Sequence, residues 1–388
     1  MKRNYEIEDV ALLRKEQKEE EFFGTNVLVR YIPHERRKGM IDPRLKASMD
    51  AKADANGVIA PPPFDPAMLA LPAEKILLYL QKLYDDSAKK KEEEALRLRP
   101  DGSADDIVEG DIICERGEIK TQDSAIGFYK YQSKNADKNN RPCYISIHGG
   151  GWCMGHPVRN DTACRFLADK ANVVVFDIDY SLSPQYPYPA ALNDCWNLLK
   201  YIYTNAEALG IDKKRICVGG GSAGGNLAAA LALKDRDEQT KMIAMQILMV
   251  PCLLLRSQEV KGYNVSENDY YFSEEAIKYY GKPEVPEKTI GIGKMVDGYI
   301  GEKGVMDSYI SPLISENFAG LPKTLIQVST LDTLWVHGVH YGKFLRNAGC
   351  DVKIIMYEGM DHGSVGAVGI YPQAEDFLSE MVEAIENL

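Results

Sequence analysis

Val218-Gly219-Gly220-Gly221-Ser222-Ala223-Gly224-Gly225-Asn226 begins at the end of the apolar run Ile216-Cys217-Val218 and sets a serine in the pattern GxSxG. That pattern, placed directly after a strand, predicts a tight strand-to-helix turn with the serine at its apex. Gly220 and Gly224 remove side chains that would collide as the backbone reverses, and the small Ala223 lets the next helix start close to the strand. The hydroxyl is then presented at a helix N-terminus, where the dipole and free N–H groups favour negative charge.

The same stretch supports a rival reading. Gly219, Gly221 and Gly224 spell GxGxxG between a strand and a helix, the fingerprint of a dinucleotide site and hence of a flavin or nicotinamide oxidoreductase. Such a site needs an acidic residue about 20 positions later, at the end of the next strand. The next strand-like run, Ile243 to Val250, ends in Pro251-Cys252 and offers no carboxylate.

Three further elements favour the nucleophile. Upstream, Tyr144-Ile145-Ser146-Ile147 alternates like a strand and opens into His148-Gly149-Gly150-Gly151-Trp152. Three consecutive glycines suit a loop whose backbone N–H groups must approach a ligand closely. In acyl transfer that ligand is a tetrahedral oxyanion, held by amides of Gly149 and Gly150 and by the amide of Ala223. His148, Gly151 and Trp152 would support the loop. Downstream, the strand-like Thr324 to Ser329 is followed by Leu331-Asp332-Thr333-Leu334. The strand-like Val352 to Tyr357 is followed by Glu358-Gly359-Met360-Asp361-His362-Gly363. The carboxylate and the histidine thus come from loops after successive strands, and the chain order Ser, Asp, His is that of α/β-hydrolases.

Roles follow from side-chain chemistry. Ser222 needs a base to take its proton, His362 titrates near neutrality, and Asp332 would fix its tautomer and stabilise the imidazolium. Asp361 and Glu358 remain alternative acids, although a neighbour in sequence usually points away. Of the six histidines, His337 and His340 fall on a helix and read as packing or surface residues, and His34 and His156 as loop or cap residues. No Cys or carboxylate at ligand spacing accompanies His337 and His340, so no metal is expected. No cofactor is expected either.

With these motifs in order, the chain resembles the hormone-sensitive-lipase-like family of α/β-hydrolases, which includes bacterial carboxylesterases and acetylesterases. The resemblance runs from about residue 110 to the C-terminus. It also covers Asp179-Tyr180-Ser181-Leu182-Ser183-Pro184-Gln185, then Tyr188-Pro189-Ala190-Ala191 and Asp194, which look like the family's DYRLAPE segment and its following helix. Gly221 replaces the polar side chain common before the nucleophile, and Ser181 and Gln185 replace the two charges of DYRLAPE; none of these removes a catalytic atom. The resemblance implies hydrolysis of esters with small acyl groups, from acetyl to about hexanoyl, through an acyl-serine. An amidase or deacetylase would use the same triad. A nonenzymatic small-molecule receptor on this fold typically lacks the histidine kept here.

Composition agrees with an enzyme of this kind. The 388 residues are ample for one core and a cap, and the net charge of −11 without a basic run argues against nucleic acid or anionic membranes as partners. Met1 to Lys18 is charged, no run reaches the roughly 18 apolar residues of a membrane span, and eight scattered cysteines lack a CxxC pair. A cytoplasmic protein is expected; the sequence leaves open whether it forms a homo-oligomer. The expected architecture is a mostly parallel, doubly wound α/β sheet with a helical cap. Residues 1–110 are assigned to the cap region and 111–388 to the catalytic core, with a further cap insertion at 256–306. Within the first region, a helix is predicted from Pro72 to about Arg99, with Ile76, Leu77, Leu80, Leu83 and Tyr84 packing on the core. Ala60 to Pro66 reads as a breaker-rich linker, Lys89 to Glu94 as a solvated helical face, and Pro100-Asp101-Gly102 as its end. The insertion carries Tyr263, Tyr270, Tyr271, Tyr279, Tyr280 and Tyr299, which serve either the substrate pocket or packing between cap helices.

Overall fold

A computed structural model of the chain describes residues 3–51, 75–79, 81–82, 107–121, 125–135, 137, 139–257, 259–288, 290–301 and 307–388. Its centre is a ten-stranded sheet made of β1 (Lys18–Phe22), β2 (Thr25–Arg30), β3 (Ile112–Lys120), β4 (Ala125–Ser133), β5 (Arg141–Ile147), β6 (Val174–Asp179), β7 (Ile211–Gly221), β8 (Met245–Met249), β9 (Lys323–Ser329) and β10 (Val352–Tyr357). The spatial order is β1-β2-β10-β9-β8-β7-β5-β6-β4-β3. Every pairing from β2 across to β6 is parallel, and the antiparallel pairs lie at the two ends.

Helices cover both faces, so the central strands read as continuous apolar runs rather than alternating ones. All seven residues of β5 are buried. Ile145, Val218, Leu248 and Ile326 point to the face covered by α4 (Ala190–Thr204), α5 (Ala223–Asp237) and α8 (Trp335–Asn347). Their neighbours Tyr144, Cys217, Ile247 and Leu325 point to the opposite face, under α3 (Asp161–Lys170) and α9 (Pro372–Glu386). Helix α5, rich in alanine, is buried along nearly its whole length and can approach the sheet closely for that reason.

Contrary to expectation, residues 18–30, placed by sequence in the helical cap region, form a hairpin whose β2 pairs with β10 and extends the sheet. The two-residue turn is Phe23-Gly24, both with positive φ (53° and 77°), as a twisted hairpin requires. Phe is a poor turn signal, and the charged Lys18-Glu-Glu-Glu-Phe22 resembles a helix face because β1 is an exposed edge strand. A short α1 (Ile7–Lys15) packs on α9, and α2 (Pro43–Asp50) starts at the N-cap Asp42.

Of the helix predicted from Pro72 to Arg99, residues 75–79 and 81–82 are described and are helical. Ile76 and Leu77 are buried as predicted, but Leu77 packs on Gly298 of the insertion, where a Cβ would stand 2.2 Å from its Cδ1. Leu80, Leu83, Tyr84, Ala60 to Pro66, Lys89 to Glu94 and Pro100 to Gly102 lie outside the described residues. The insertion contributes α6 (Glu274–Tyr280) and α7 (Ile290–Ile300). Among the described residues, no helix is long and apolar enough to cross a membrane.

Candidate active site

Ser222 stands between β7 and α5 with φ 57° and ψ −116°, a conformation costly for a residue with a Cβ. Strain of this type is on the order of 1–3 kcal/mol and persists only where packing enforces it. Backbone hydrogen bonds supply the enforcement. The Ser222 N–H donates to the Met249 carbonyl at 2.9 Å, and its carbonyl accepts from the N–H groups of Asn226 (3.0 Å) and Cys252 (3.3 Å). The Asn226 side chain then donates to the carbonyls of Cys252 and Ile310, each at 2.9 Å.

The flanking glycines are steric necessities. A Cβ on Gly220 would stand 2.1 Å from the Ile147 carbonyl oxygen, and one on Gly224 would stand 1.9 Å from the same atom. Gly219, which made the dinucleotide reading possible, is glycine for a different reason. Its Cβ would meet the Ile247 carbonyl at 2.5 Å and the Tyr144 hydroxyl at 2.8 Å. Gly221 differs from all three: its nearest neighbour, the Met249 carbonyl oxygen, would be 3.9 Å away, so no side chain is sterically excluded there.

The loop after β5 reaches the serine. A Cβ on Gly149 would lie 3.4 Å from that of Ser222, which places the backbone of this loop in contact with the hydroxyl-bearing residue. Gly150 and Gly151 have positive φ (126° and 59°), and so does Trp152 (61°). The Gly150 carbonyl accepts from the Met154 N–H at 2.9 Å, closing the turn. Trp152 is buried and stacks on Tyr299 of α7, centroids 4.6 Å apart. His148 is buried, stacks on Tyr180, and places Nδ1 2.9 Å from the Gly149 carbonyl. A carbonyl only accepts, so Nδ1 carries the proton. Burial holds this imidazole down at about 4, so it is neutral and serves the loop, not proton transfer. The Tyr180 hydroxyl donates to the His148 carbonyl at 2.9 Å, and the Ser181 N–H donates to Asp194 at 2.8 Å, which ties the Asp179 to Asp194 segment to the site.

Among the three candidate acids the structure discriminates by contact. His362 Nδ1 lies 2.8 Å from Asp332 Oδ2. Asp332 is buried, and its Oδ1 accepts from the Leu334 N–H at 3.0 Å. Asp361 instead accepts from the Ser364 hydroxyl (2.5 Å) and the Tyr280 hydroxyl (3.1 Å). Glu358 accepts from the Thr330 hydroxyl (3.2 Å) and the Gly39 N–H (3.3 Å), and burial pushes it up to about 7. The two loops bearing Asp332 and His362 are joined by Leu331 N–H to Met360 carbonyl at 2.9 Å. Burial pushes the His362 imidazole down, but the charge and hydrogen bond of Asp332 outweigh it, and the net shift is upward from the ordinary histidine value. The side chain remains 43% exposed, open to the cavity it lines.

Ser222, Asp332 and His362 line one cavity of about 670 Å³, together with Gly149, Gly150, Gly151 and Trp152. No hydrogen bond joins the Ser222 hydroxyl to His362 here; such bonds often tighten only when substrate binds. The insertion contributes Met295 to the lining and, among the described residues, none of its tyrosines. Tyr299 packs on Trp152, Tyr280 holds Asp361, the Tyr270 hydroxyl donates to the Thr333 carbonyl at 3.1 Å, and Tyr263 meets Glu287. Sequence spacing carried no sign of Met295. It also missed the carboxylate beside His337: Glu287 Oε1 lies 3.1 Å from Nε2, while Nδ1 accepts the Leu253 N–H at 3.3 Å. Both ring nitrogens are engaged. His340 is buried on the same helix with Nδ1 donating to the Val336 carbonyl at 2.8 Å.

A sheet of this order, with a strained serine after the central strand β7 and an Asp–His pair from the ends of β9 and β10, defines an α/β-hydrolase. A family model described as alpha/beta hydrolase fold matches residues 144–366, and the chain belongs to this family in its hormone-sensitive-lipase-like branch. Esterase LipI of Mycobacterium tuberculosis (strain ATCC 25618 / H37Rv) is 31% identical over 242 residues, covering 62% of this chain and 71% of its own. An arylesterase of Saccharolobus solfataricus is 31% identical over 231 residues, covering 59% and 70%. The solved structure of a bacterial heroin esterase superposes with a TM-score of 0.67 at 26% identity, covering 90% of this chain and 98% of that one.

Proposed function

We propose that this chain hydrolyses carboxylic esters with small acyl groups, acetyl to about hexanoyl, through an acyl-serine formed on Ser222. The observation that carries the reading is the 2.8 Å contact between His362 Nδ1 and Asp332 in the cavity that Ser222 lines. With Nδ1–H held by the carboxylate, Nε2 is the bare nitrogen and is available as base. It takes the Ser222 proton as the hydroxyl attacks the ester carbonyl. The oxyanion forms against the amides of Gly149, Gly150 and Ala223, where one donor is worth about 3 kcal/mol of barrier. The imidazolium then protonates the departing alcohol, and water repeats the sequence on the acyl-enzyme. Asp332 stabilises the imidazolium at both stages, consistent with the upward shift of His362. The names of the relatives, esterase and arylesterase, support the same reaction class.

All eight cysteines are unpaired, which supports a reducing, cytoplasmic setting. The test is Ser222→Ala together with an organophosphonate label. Turnover of p-nitrophenyl acetate should fall by several orders of magnitude with the fold intact, and the label should map to Ser222. A folded Ser222→Ala enzyme with near wild-type turnover would refute the reading.

A further inference from the structure

The glycine run before Trp152 does not choose its own shape. Glycine takes positive and negative φ about equally well, so Gly149-Gly150-Gly151 has several backbone states of similar energy. Only one of them can aim the amides of Gly149 and Gly150 at an oxyanion on Ser222. Within the loop, the Gly150 carbonyl accepts from the N–H groups of Met154 (2.9 Å) and Cys153 (3.3 Å), which closes the turn and leaves its outer side to be held from elsewhere. Gly151 and Trp152 both have positive φ, 59° and 61°. For Trp152, which carries a Cβ, that conformation persists only where packing enforces it.

Helix α7 of the insertion supplies the packing. Met295 and Tyr299 are four residues apart and therefore share one face of the helix. Met295 lies against Gly151, where a Cβ would stand 2.5 Å from Sδ and 3.4 Å from Cγ. Tyr299 is fully buried and lays its ring on the Trp152 indole, with centroids 4.6 Å and planes 11° apart. Its hydroxyl makes no hydrogen bond among the described residues, so the ring, not the polar tip, makes the contact.

The backbone completes the clamp. The Tyr299 carbonyl accepts from the Tyr188 N–H at 2.7 Å, and the Trp152 carbonyl accepts from the Ser183 N–H at 2.9 Å. The stretch 183–188 thus holds the end of α7 and the glycine loop together. Tyr188 also meets the Tyr299 ring edge-on, centroids 5.9 Å apart.

We infer that Met295 and Tyr299 are positioning residues for the oxyanion hole. Through these two side chains α7 selects the conformation of the glycine loop in which the Gly149 and Gly150 amides face the oxyanion formed on Ser222. This rests on the esterase reading above and gives the insertion a part in the chemical step. Without the clamp a substrate still enters, but its oxyanion meets displaced donors. A displacement of about 1 Å can cost on the order of 10² in rate. Substrate binding suffers less, because the charge that the donors meet exists only in the transition state.

The test uses the full chain and ethyl butyrate, followed by pH-stat, with each preparation counted by complete phosphonate titration of Ser222 so that unfolded protein does not enter kcat. Tyr299→Leu should lower kcat roughly 10- to 100-fold with KM within about threefold of wild type. Tyr299→Phe, which keeps the ring, should match wild type. A butyl trifluoromethyl ketone gives the readout that a merely structural role would not move. Ser222 Oγ adds to its carbonyl carbon, the C=O π pair moves to the oxygen, and the hydroxyl proton passes to His362. The resulting oxyanion lies in the proposed hole, so Ki should rise in Tyr299→Leu by the same factor by which kcat falls. Met295→Ala should show the same paired loss and Met295→Leu should restore both values; this pair decides if Tyr299→Leu does not fold. Wild-type kcat in titrated Tyr299→Leu or Met295→Ala, a loss confined to KM, or a loss of kcat with unchanged Ki would each overturn the inference. If the wild-type enzyme neither hydrolyses ethyl butyrate nor binds the ketone, the esterase reading itself fails; if it does both and the variants match it, only the role of α7 is wrong.

Discussion

Asp332→Asn tests the assignment of the acid, and the structure specifies how the variant should fail. Oδ1 of Asp332 accepts the Leu334 N–H at 3.0 Å, so the carbonyl oxygen of an asparagine would keep that position. Its amide N–H₂ would then face His362 Nδ1, 2.8 Å away in the native protein. Two donors cannot share that contact, so the imidazole must carry its proton on Nε2. That is the wrong tautomer to accept a proton from Ser222. Inverting a triad tautomer costs on the order of 10⁴ in kcat, about 5.5 kcal/mol of barrier. Asp361→Asn removes a carboxylate bonded to Ser364 and Tyr280, not to His362, and should change turnover by less than about threefold. The assay is kcat/KM for p-nitrophenyl acetate from about pH 5 to 9, which also reads the titration of the base. His362 must be neutral to act, so activity is lost as pH falls through its pKa. Asp332 raises that pKa above the ordinary value of about 6.5, so the residual activity of Asp332→Asn should have its acid limb at lower pH than wild type. Equal losses from the two substitutions in folded proteins, or an Asp332→Asn loss under tenfold, would refute the assignment.

Two further predictions concern packing. Gly219→Ala puts a Cβ 2.5 Å from the Ile247 carbonyl oxygen and should cost roughly 1–3 kcal/mol in urea unfolding, whereas Gly221→Ala, with 3.9 Å to its nearest atom, should stay within about 0.5 kcal/mol; the reverse ranking would contradict the close packing of β7 against β8 at Gly219. Arg30 is buried and bonds both oxygens of Asp376 at 2.9 and 2.8 Å and also Glu380, while Asp376 keeps Arg14 and Tyr357 as partners and Glu380 keeps Lys353, so Arg30→Met should lower stability by about 1–3 kcal/mol; an unchanged urea midpoint would show that the β2 to α9 ion pair contributes nothing.

Features that depend on local backbone chemistry are legible in the chain before it folds. A serine between Gly220 and Gly224 after an apolar strand can form only a few turns, and the three glycines after His148 declare a loop that must approach something closely. The strand ends that carry Asp332 and His362 are legible because apolar runs mark buried parallel strands. Contacts between residues far apart in the chain are not legible in this way. Asp332, Asp361 and Glu358 are all carboxylates, and only the packing of the two loops turns the first toward His362 while Ser364, Tyr280, Thr330 and Gly39 occupy the others. The hairpin at 18–30 joins the sheet beside β10, more than 300 residues away, through backbone pairing that leaves no periodic signal in its charged edge strand. Gly219 has the same local appearance whether a pyrophosphate or Tyr144 needs its space; the group that fills it is the tyrosine side chain. Short stretches of chain dictate φ, ψ and hydrophobic period, but the choice among chemically equivalent partners is made by which side chains the long-range packing brings within hydrogen-bond reach.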